Sequence, residues 1–186
     1  MTLSTNIFSL FSSKQKLRDQ IAADYERLYR IAWSWTHDQY WAEDLVQDTM
    51  ARALEKIDSL KNQERLEVWL TRILSNRFRD QLKARKEHSE LDESLRCEND
   101  EPAISADRAQ LIERTRIAVG KLNEEHRQVL TLVDLAEFSY AETANILEVP
   151  VGTVMSRLAR ARENLRKHLE FRESDLGHVV PLRKPL

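Results

Sequence analysis

The stretch Ser139-Tyr-Ala-Glu-Thr-Ala-Asn-Ile-Leu-Glu-Val-Pro150-Val-Gly-Thr-Val-Met-Ser-Arg-Leu-Ala-Arg-Ala-Arg162 sets two helices about a short turn. Ser139 and Glu142 stand three apart, the spacing at which a hydroxyl satisfies one free N–H of a helix start and a carboxylate reaches back to another. A short helix is therefore predicted from Tyr140 to Leu147. Glu148-Val149 forms the turn, Pro150 takes the place where a missing N–H costs nothing, and a long helix is predicted from about Val151 to Leu169. A short helix, a turn and a longer basic helix follow one another as in a helix-turn-helix. From Thr153 to Leu169 the chain carries Arg157, Arg160, Arg162, Arg166 and Lys167 against Glu163 alone. Val154, Leu158, Ala161 and Leu165 recur at helical spacing and face inward, which turns Met155, Ser156, Ala159, Arg160 and Glu163 outward. An outward arginine near the start of such a helix can reach guanine O6 and N7, and small side chains suit other base edges. An amphipathic helix with a solvated arginine face shares this spacing, but the capping box and the turn favour the DNA-reading alternative.

Upstream, Asn123 can cap a helix that buries Val129, Leu130 and Val133 and ends near Glu137. Further back, from Lys86 to about Ser105, helical periodicity disappears among Glu87, Glu90, Asp92, Glu93, Glu98, Asp100, Glu101 and Pro102. That is the composition of a solvated linker. Ahead of it, Leu17, Ile21, Tyr25, Leu28, Ile31, Ala32 and Trp35 predict one amphipathic helix of about five turns stopping near Thr36–His37. Trp33 and Trp35 cannot both face inward on it. Asp38 can cap the next helix, with the stripe Trp41, Leu45, Thr49, Ala53, Leu54 and Ile57 inside and a mostly acidic face (Glu43, Asp44, Gln47, Asp48, Arg52, Glu55) outside. After the polar loop Asp58–Arg65, a third helix places Leu66, Trp69, Leu70, Ile73, Leu74, Phe78 and Leu82 on one face. Its other face holds Arg72, Arg77, Arg79, Lys83, Arg85 and Lys86 against Asp80. Basic residues interleaved with aromatics suit a single strand or a phosphate backbone, although a lone charge run is more often a solvated face.

Only 3 Gly and 4 Pro punctuate 186 residues, too few turn residues for a β-rich or doubly wound fold, so the chain is expected to be all-α. Two small helical domains, the second holding the helix-turn-helix, fit the length and flank the acidic linker. The overall charge of −2 hides this division. Residues 1–85 carry 14 Lys and Arg against 12 Asp and Glu, residues 86–111 carry 3 against 8, and residues 112–186 carry 12 against 11. The one cysteine, Cys97, excludes an internal disulfide framework, and no signal segment or membrane-length apolar run is present, so a cytoplasmic protein without a membrane span is expected. His37, His88, His126, His168 and His178 are scattered, with no metal spacing, no P-loop and no catalytic set. The expectation is a non-enzyme with no cofactor, no metal and no small-molecule substrate.

Trp41-Ala-Glu-Asp-Leu-Val-Gln-Asp-Thr49, Val68-Trp-Leu-Thr-Arg-Ile-Leu-Ser-Asn76 and Val149-Pro-Val-Gly-Thr-Val-Met-Ser-Arg-Leu-Ala-Arg-Ala-Arg162 resemble, in order, three segments of extracytoplasmic-function sigma factors. The similarity covers about residues 17–170. It implies a promoter-melting, core-polymerase-binding domain (sigma region 2) at 1–85 and a minus-35-binding domain (region 4) at 108–170, on either side of the acidic linker at 86–107; the tail at 171–186 is expected to be largely disordered. On the matching positions, Asp44, Gln47 and Asp48 would dock on the β′ clamp helices of core RNA polymerase, and the second domain on the β flap. Leu60 and Asn76 would help line a pocket for a flipped minus-10 base, with Lys61, Asn62, Arg72, Arg79 and Lys83 along the strand; Leu60 stands where the family often has an aromatic. Met155, Ser156, Ala159 and Arg160 would read minus-35 bases, and Arg157 and Arg162 would hold phosphates. Met155 replaces a residue that is often basic. Promoter DNA and a restraining anti-sigma factor complete the implied partners. Two alternatives share parts of this pattern: a helix-turn-helix regulator that is not a polymerase subunit, and a sigma-mimicking interaction protein.

Overall fold

A computed structural model describes residues 14–60, 65–88 and 114–173. Every regular element among them is helical: α1 (14–23), α2 (Tyr25–Thr36), α3 (Gln39–Glu55), a 3-10 turn (Ile57–Ser59), α4 (Leu66–His88), α5 (114–120), α6 (Glu124–Leu130), a π-helical turn (Thr131–Leu135), α7 (Tyr140–Leu147) and α8 (Val151–Glu173). The all-α expectation holds for these residues, in two helical regions on either side of 89–113. Most of the predicted linker, together with Lys61, Asn62, Cys97 and the tail from 174, lies outside the described residues. The helix ends at either border run past the predicted bounds, to His88 and to Glu173.

The single N-terminal helix of the sequence reading is divided at Asp24, whose N–H bonds to the Ile21 carbonyl at 3.2 Å as α2 begins. The apolar stripe crosses the break intact, because Leu17, Ile21, Leu28, Ile31 and Trp35 are all buried. His37 ends α2 in the left-handed conformation, its N–H on the Trp33 carbonyl at 2.9 Å. Asp38 then caps α3, its Oδ1 accepting the Trp41 N–H at 2.8 Å.

The inner face of α3 is Ala42, Leu45, Val46, Thr49 and Ala53. Leu54, expected inside, is 45% exposed, since it lies about 100° around the helix from Ala53. Leu70, Leu74 and Phe78 bury α4 against α2 and α3. Three aromatics tie these helices together: Phe78 lies 5.4 Å from Trp35 and 5.5 Å from Trp41, ring centre to ring centre. Of the two neighbouring tryptophans on α2, Trp35 is buried and Trp33 only half-buried.

In the second region Asn123 caps α6 through the His126 N–H at 2.8 Å. The π-helical turn follows, closed by Ala136 N–H to the Thr131 carbonyl at 2.9 Å. α7 has the bounds read from the sequence, and both halves of its capping box are formed: Ser139 Oγ accepts the Glu142 N–H, and Glu142 Oε2 accepts the Ser139 N–H at 2.9 Å. Glu148, left-handed at φ 57°, makes the turn into α8. Val154, Leu158 and Ala161 are buried beneath α8. The buried residues of both regions form one continuous cluster.

Candidate nucleic-acid and polymerase interfaces

On α8 the inward packing of Val154, Leu158 and Ala161 leaves Met155, Ser156, Ala159 and Arg160 exposed along one face. Ser156 Oγ donates to the Thr153 carbonyl at 3.1 Å, which leaves its lone pairs outward. The arginines of this helix divide into two kinds. Arg157 reaches back to Glu125 at 2.6 Å, and Arg162 clamps Asp134 with two bonds of 3.0 and 2.5 Å. Hydrogen bonding to Asp134 raises the Arg162 pKa above its ordinary value. Both guanidinium groups therefore fasten α8 to α6 and to the π-helical turn. Among the described residues Arg160 carries no such pair; it lies near enough to His126 to assist burial in lowering that imidazole's pKa.

The acidic face of α3 also divides. Gln47 is exposed, and Asp44, exposed too, accepts one bond from Gln81 at 3.1 Å. Asp48 is half-buried, 2.5 Å from Arg77 and 3.4 Å from Arg52, so its carboxylate is committed within the fold. Gln81 also accepts from the Trp41 indole N–H at 2.6 Å, and Arg85 covers the Trp41 ring at 3.9 Å.

On α4, Arg77 points to α3, whereas Arg79 reaches the second region. Arg79 donates to Asn76 Oδ1 at 3.2 Å and to the Leu147 carbonyl at 3.3 Å, and stands 3.8 Å from Glu148. Lys83 is exposed and Arg72 half-buried on the same helix. Leu60 is half-buried against the core at the end of the 3-10 turn.

Contacts between the two regions had no sequence signal. Ser34 and Thr131, both buried, share a hydrogen bond of 2.8 Å; Arg127 donates to the Trp35 carbonyl at 3.0 Å; Arg27 lies 4.7 Å over the Phe138 ring. Burial lowers the Arg127 pKa. Among the described residues no three His, Cys, Asp or Glu side chains gather as a metal site, and no helix is long and apolar enough to cross a membrane.

Comparison with known proteins gives each of the two regions a family match. Sigma-70 region 2 matches residues 21–88, and Sigma-70 region 4 matches residues 113–165. The chain is 39% identical over 151 residues to the ECF RNA polymerase sigma factor EcfG of Rhodopseudomonas palustris, covering 80% of this chain and 82% of that one. With ECF sigma factor SigW of Bacillus subtilis it shares 29% identity, over 77% and 83% of the two chains. Among solved structures, the sigma factor RpoE in complex with the anti-sigma factor NepR from Bartonella quintana superposes with a TM-score of 0.71 at 27% identity, over 84% of this chain and 98% of that one. CnrH, solved in complex with the cytosolic domain of CnrY, gives 0.62 at 25% identity, over 84% and 89%. The chain thus belongs to the extracytoplasmic-function RNA polymerase sigma factors.

Proposed function

We propose that this sigma factor, a transcription-initiation subunit rather than an enzyme, divides its work among three surfaces. The exposed face Met155, Ser156, Ala159 and Arg160 reads minus-35 bases, with Arg160 as the arginine on a base edge. Arg157 and Arg162 set the pitch of that helix through Glu125 and Asp134 and reach DNA phosphates only by leaving those partners. Leu60 and Asn76 take the flipped minus-10 base, with Lys61, Asn62, Arg72, Arg79 and Lys83 following the strand; removing a base from the stack costs a few kcal/mol, which such a pocket must offset. Asp44 and Gln47 meet the β′ clamp helices, with Asp48 holding α3 in register through Arg77, and region 4 meets the β flap. An anti-sigma factor restrains the chain, by analogy with RpoE in its complex with the anti-sigma factor NepR, and the site of action is the cytoplasm, where promoters and polymerase are.

The observation that carries this reading is the separation of faces: an exposed arginine-bearing recognition helix on one region, and an exposed acidic helix on the other. A regulator acting apart from polymerase needs no such acidic face, and a sigma mimic needs no base-reading one. Asp44→Lys combined with Gln47→Lys is expected to weaken core polymerase binding roughly tenfold in a fluorescence titration, with helicity unchanged, because opposed charges at an interface rim control association. Unaltered core affinity in a normally helical variant would contradict the assignment of α3.

A further inference from the structure

The exposed face of α8 begins with side chains that carry no charge. Val151 is 43% exposed and Met155 53%, two of the six large apolar side chains so open to solvent among the described residues. Residues four apart on a helix lie one above the other, so Val151, Met155 and the exposed Ala159 form one row. Gly152, also exposed, stands three before Met155 and four before Ser156, and adjoins both. Arg157 turns away from this row to Glu125, which leaves Arg160 as the first charge on the face. The row is thus continuous with Ser156 and Arg160, the polar part of the surface assigned to minus-35 DNA.

Neither packing nor helix propensity calls for these residues. A β-carbon built at Gly152 meets nothing within 4 Å, so alanine would fit the fold and would favour the helix. Valine is likewise a weaker helix former than alanine, because its branched β-carbon loses rotamer freedom against the preceding turn. Local rules broken on one exposed face, with no return inside the chain, mark a surface shaped for something outside it. A glycine with open space beside it lets that partner come close to the backbone.

We propose that Val151 and Met155 form a methyl-reading subsite, their apolar row packing on the C5-methyl of a thymine in the minus-35 major groove while Gly152 lets the start of α8 approach the duplex. The inference rests on the assignment of α8 to minus-35 DNA given above. The groove edges of the bases otherwise offer hydrogen-bond donors and acceptors, and the thymine methyl is the apolar group among them. A valine and a thioether have no N–H or O–H to give a phosphate or a base, so the methyl is what this row fits. The unbranched methionine side chain can adapt its shape to that group. Met155 and Arg160 stand about 7.5 Å apart along the helix axis, which places the methyl contact and the arginine contact on different base pairs.

The test uses the full chain bound to core polymerase and labelled duplexes of a promoter that this holoenzyme transcribes from a genomic template pool. Each minus-35 thymine is replaced in turn by uracil, which removes the methyl and keeps every hydrogen-bonding group. Uracil is expected to weaken binding about fourfold at one position, the affinity of one buried methyl, and to change little elsewhere. Met155→Gln keeps the length and helix propensity but not the apolar end, and should bind the thymine and uracil duplexes equally. Gly152→Ala is expected to raise the urea midpoint of the chain and yet weaken every minus-35 duplex severalfold, opposite signs that a glycine needed only by the fold does not give. Specific minus-35 binding that no uracil alters overturns the proposal and leaves the assignment of α8 standing. Binding indifferent to every change of minus-35 sequence removes that assignment, and the subsite with it. A gain with 5-methylcytosine in place of cytosine, without a loss with uracil, shows that the row reads a methylated cytosine and overturns the thymine contact. Gly152→Ala at full affinity overturns the proposal as well. So does a Met155→Gln variant that loses affinity for core polymerase while still preferring thymine, because the row then faces protein.

Discussion

Phe78→Ala is expected to destabilise the chain by about 3–5 kcal/mol, the range for deleting a large aromatic from a core that cannot collapse onto the space. Phe78 is 2% exposed and stands between Trp35 of α2 and Trp41 of α3, so its loss removes the contact that joins three helices. The neighbours are poorly placed to move. Trp41 is fixed by Gln81 through its indole N–H and by Arg85 across its face, and Trp35 is itself 2% exposed, its indole N–H unpaired among the described residues. Chemical denaturation followed by tryptophan fluorescence measures the effect directly. Leu54→Ala, on a side chain 45% exposed, serves as the contrast and should cost well under half as much. A loss below about 1 kcal/mol for Phe78→Ala would contradict the aromatic stack as the centre of region 2.

Arg160→Ala is expected to weaken minus-35 binding by ~1–3 kcal/mol and to relax preference at one base position, the signature of losing an arginine from a base edge. Arg162→Ala should behave otherwise. Its guanidinium is held by two bonds to Asp134, so its removal loosens α8 at a cost of about 1 kcal/mol or less, without a base-specific change. The family resemblance implies a phosphate contact for Arg162, which would lower the salt slope of binding by about one counterion when lost. With the clamp in place the slope is expected to stay the same. Binding titrations of single-base variants at several salt concentrations distinguish the two roles; a base-specific loss with Arg162→Ala and a uniform loss with Arg160→Ala would reverse them.

Helix ends were the most legible part of this chain, because capping is local chemistry. Asp38, Asn123 and the Ser139–Glu142 pair each act within three residues of themselves, and each caps the helix it was expected to cap. Facing was legible wherever a stripe was unambiguous, as for Val154, Leu158 and Ala161 beneath the exposed Met155 and Arg160. The misplaced Leu54 shows the limit: Ala42 and Val46 fill the inner face, and small or β-branched residues carry less signal than a leucine. The break at Asp24 was hidden by a stripe that continues through it. The commitments of Asp48 to Arg77, Arg157 to Glu125 and Arg162 to Asp134 join residues 28 to 32 positions apart, and the contacts between the two regions span up to 97. No periodicity reports partners at such distances, so the sequence marked charged faces without showing which charges are already spent.

Whether the two regions act together as a polymerase subunit is decided by transcription in vitro with purified core polymerase and a genomic template pool. Specific transcripts are expected that depend on this protein, share a promoter pattern, and are lost with Arg160→Ala at the minus-35 element and with Leu60→Ala or Asn76→Ala at strand opening. Absence of any specific transcript from core polymerase that binds the protein would contradict that joint action.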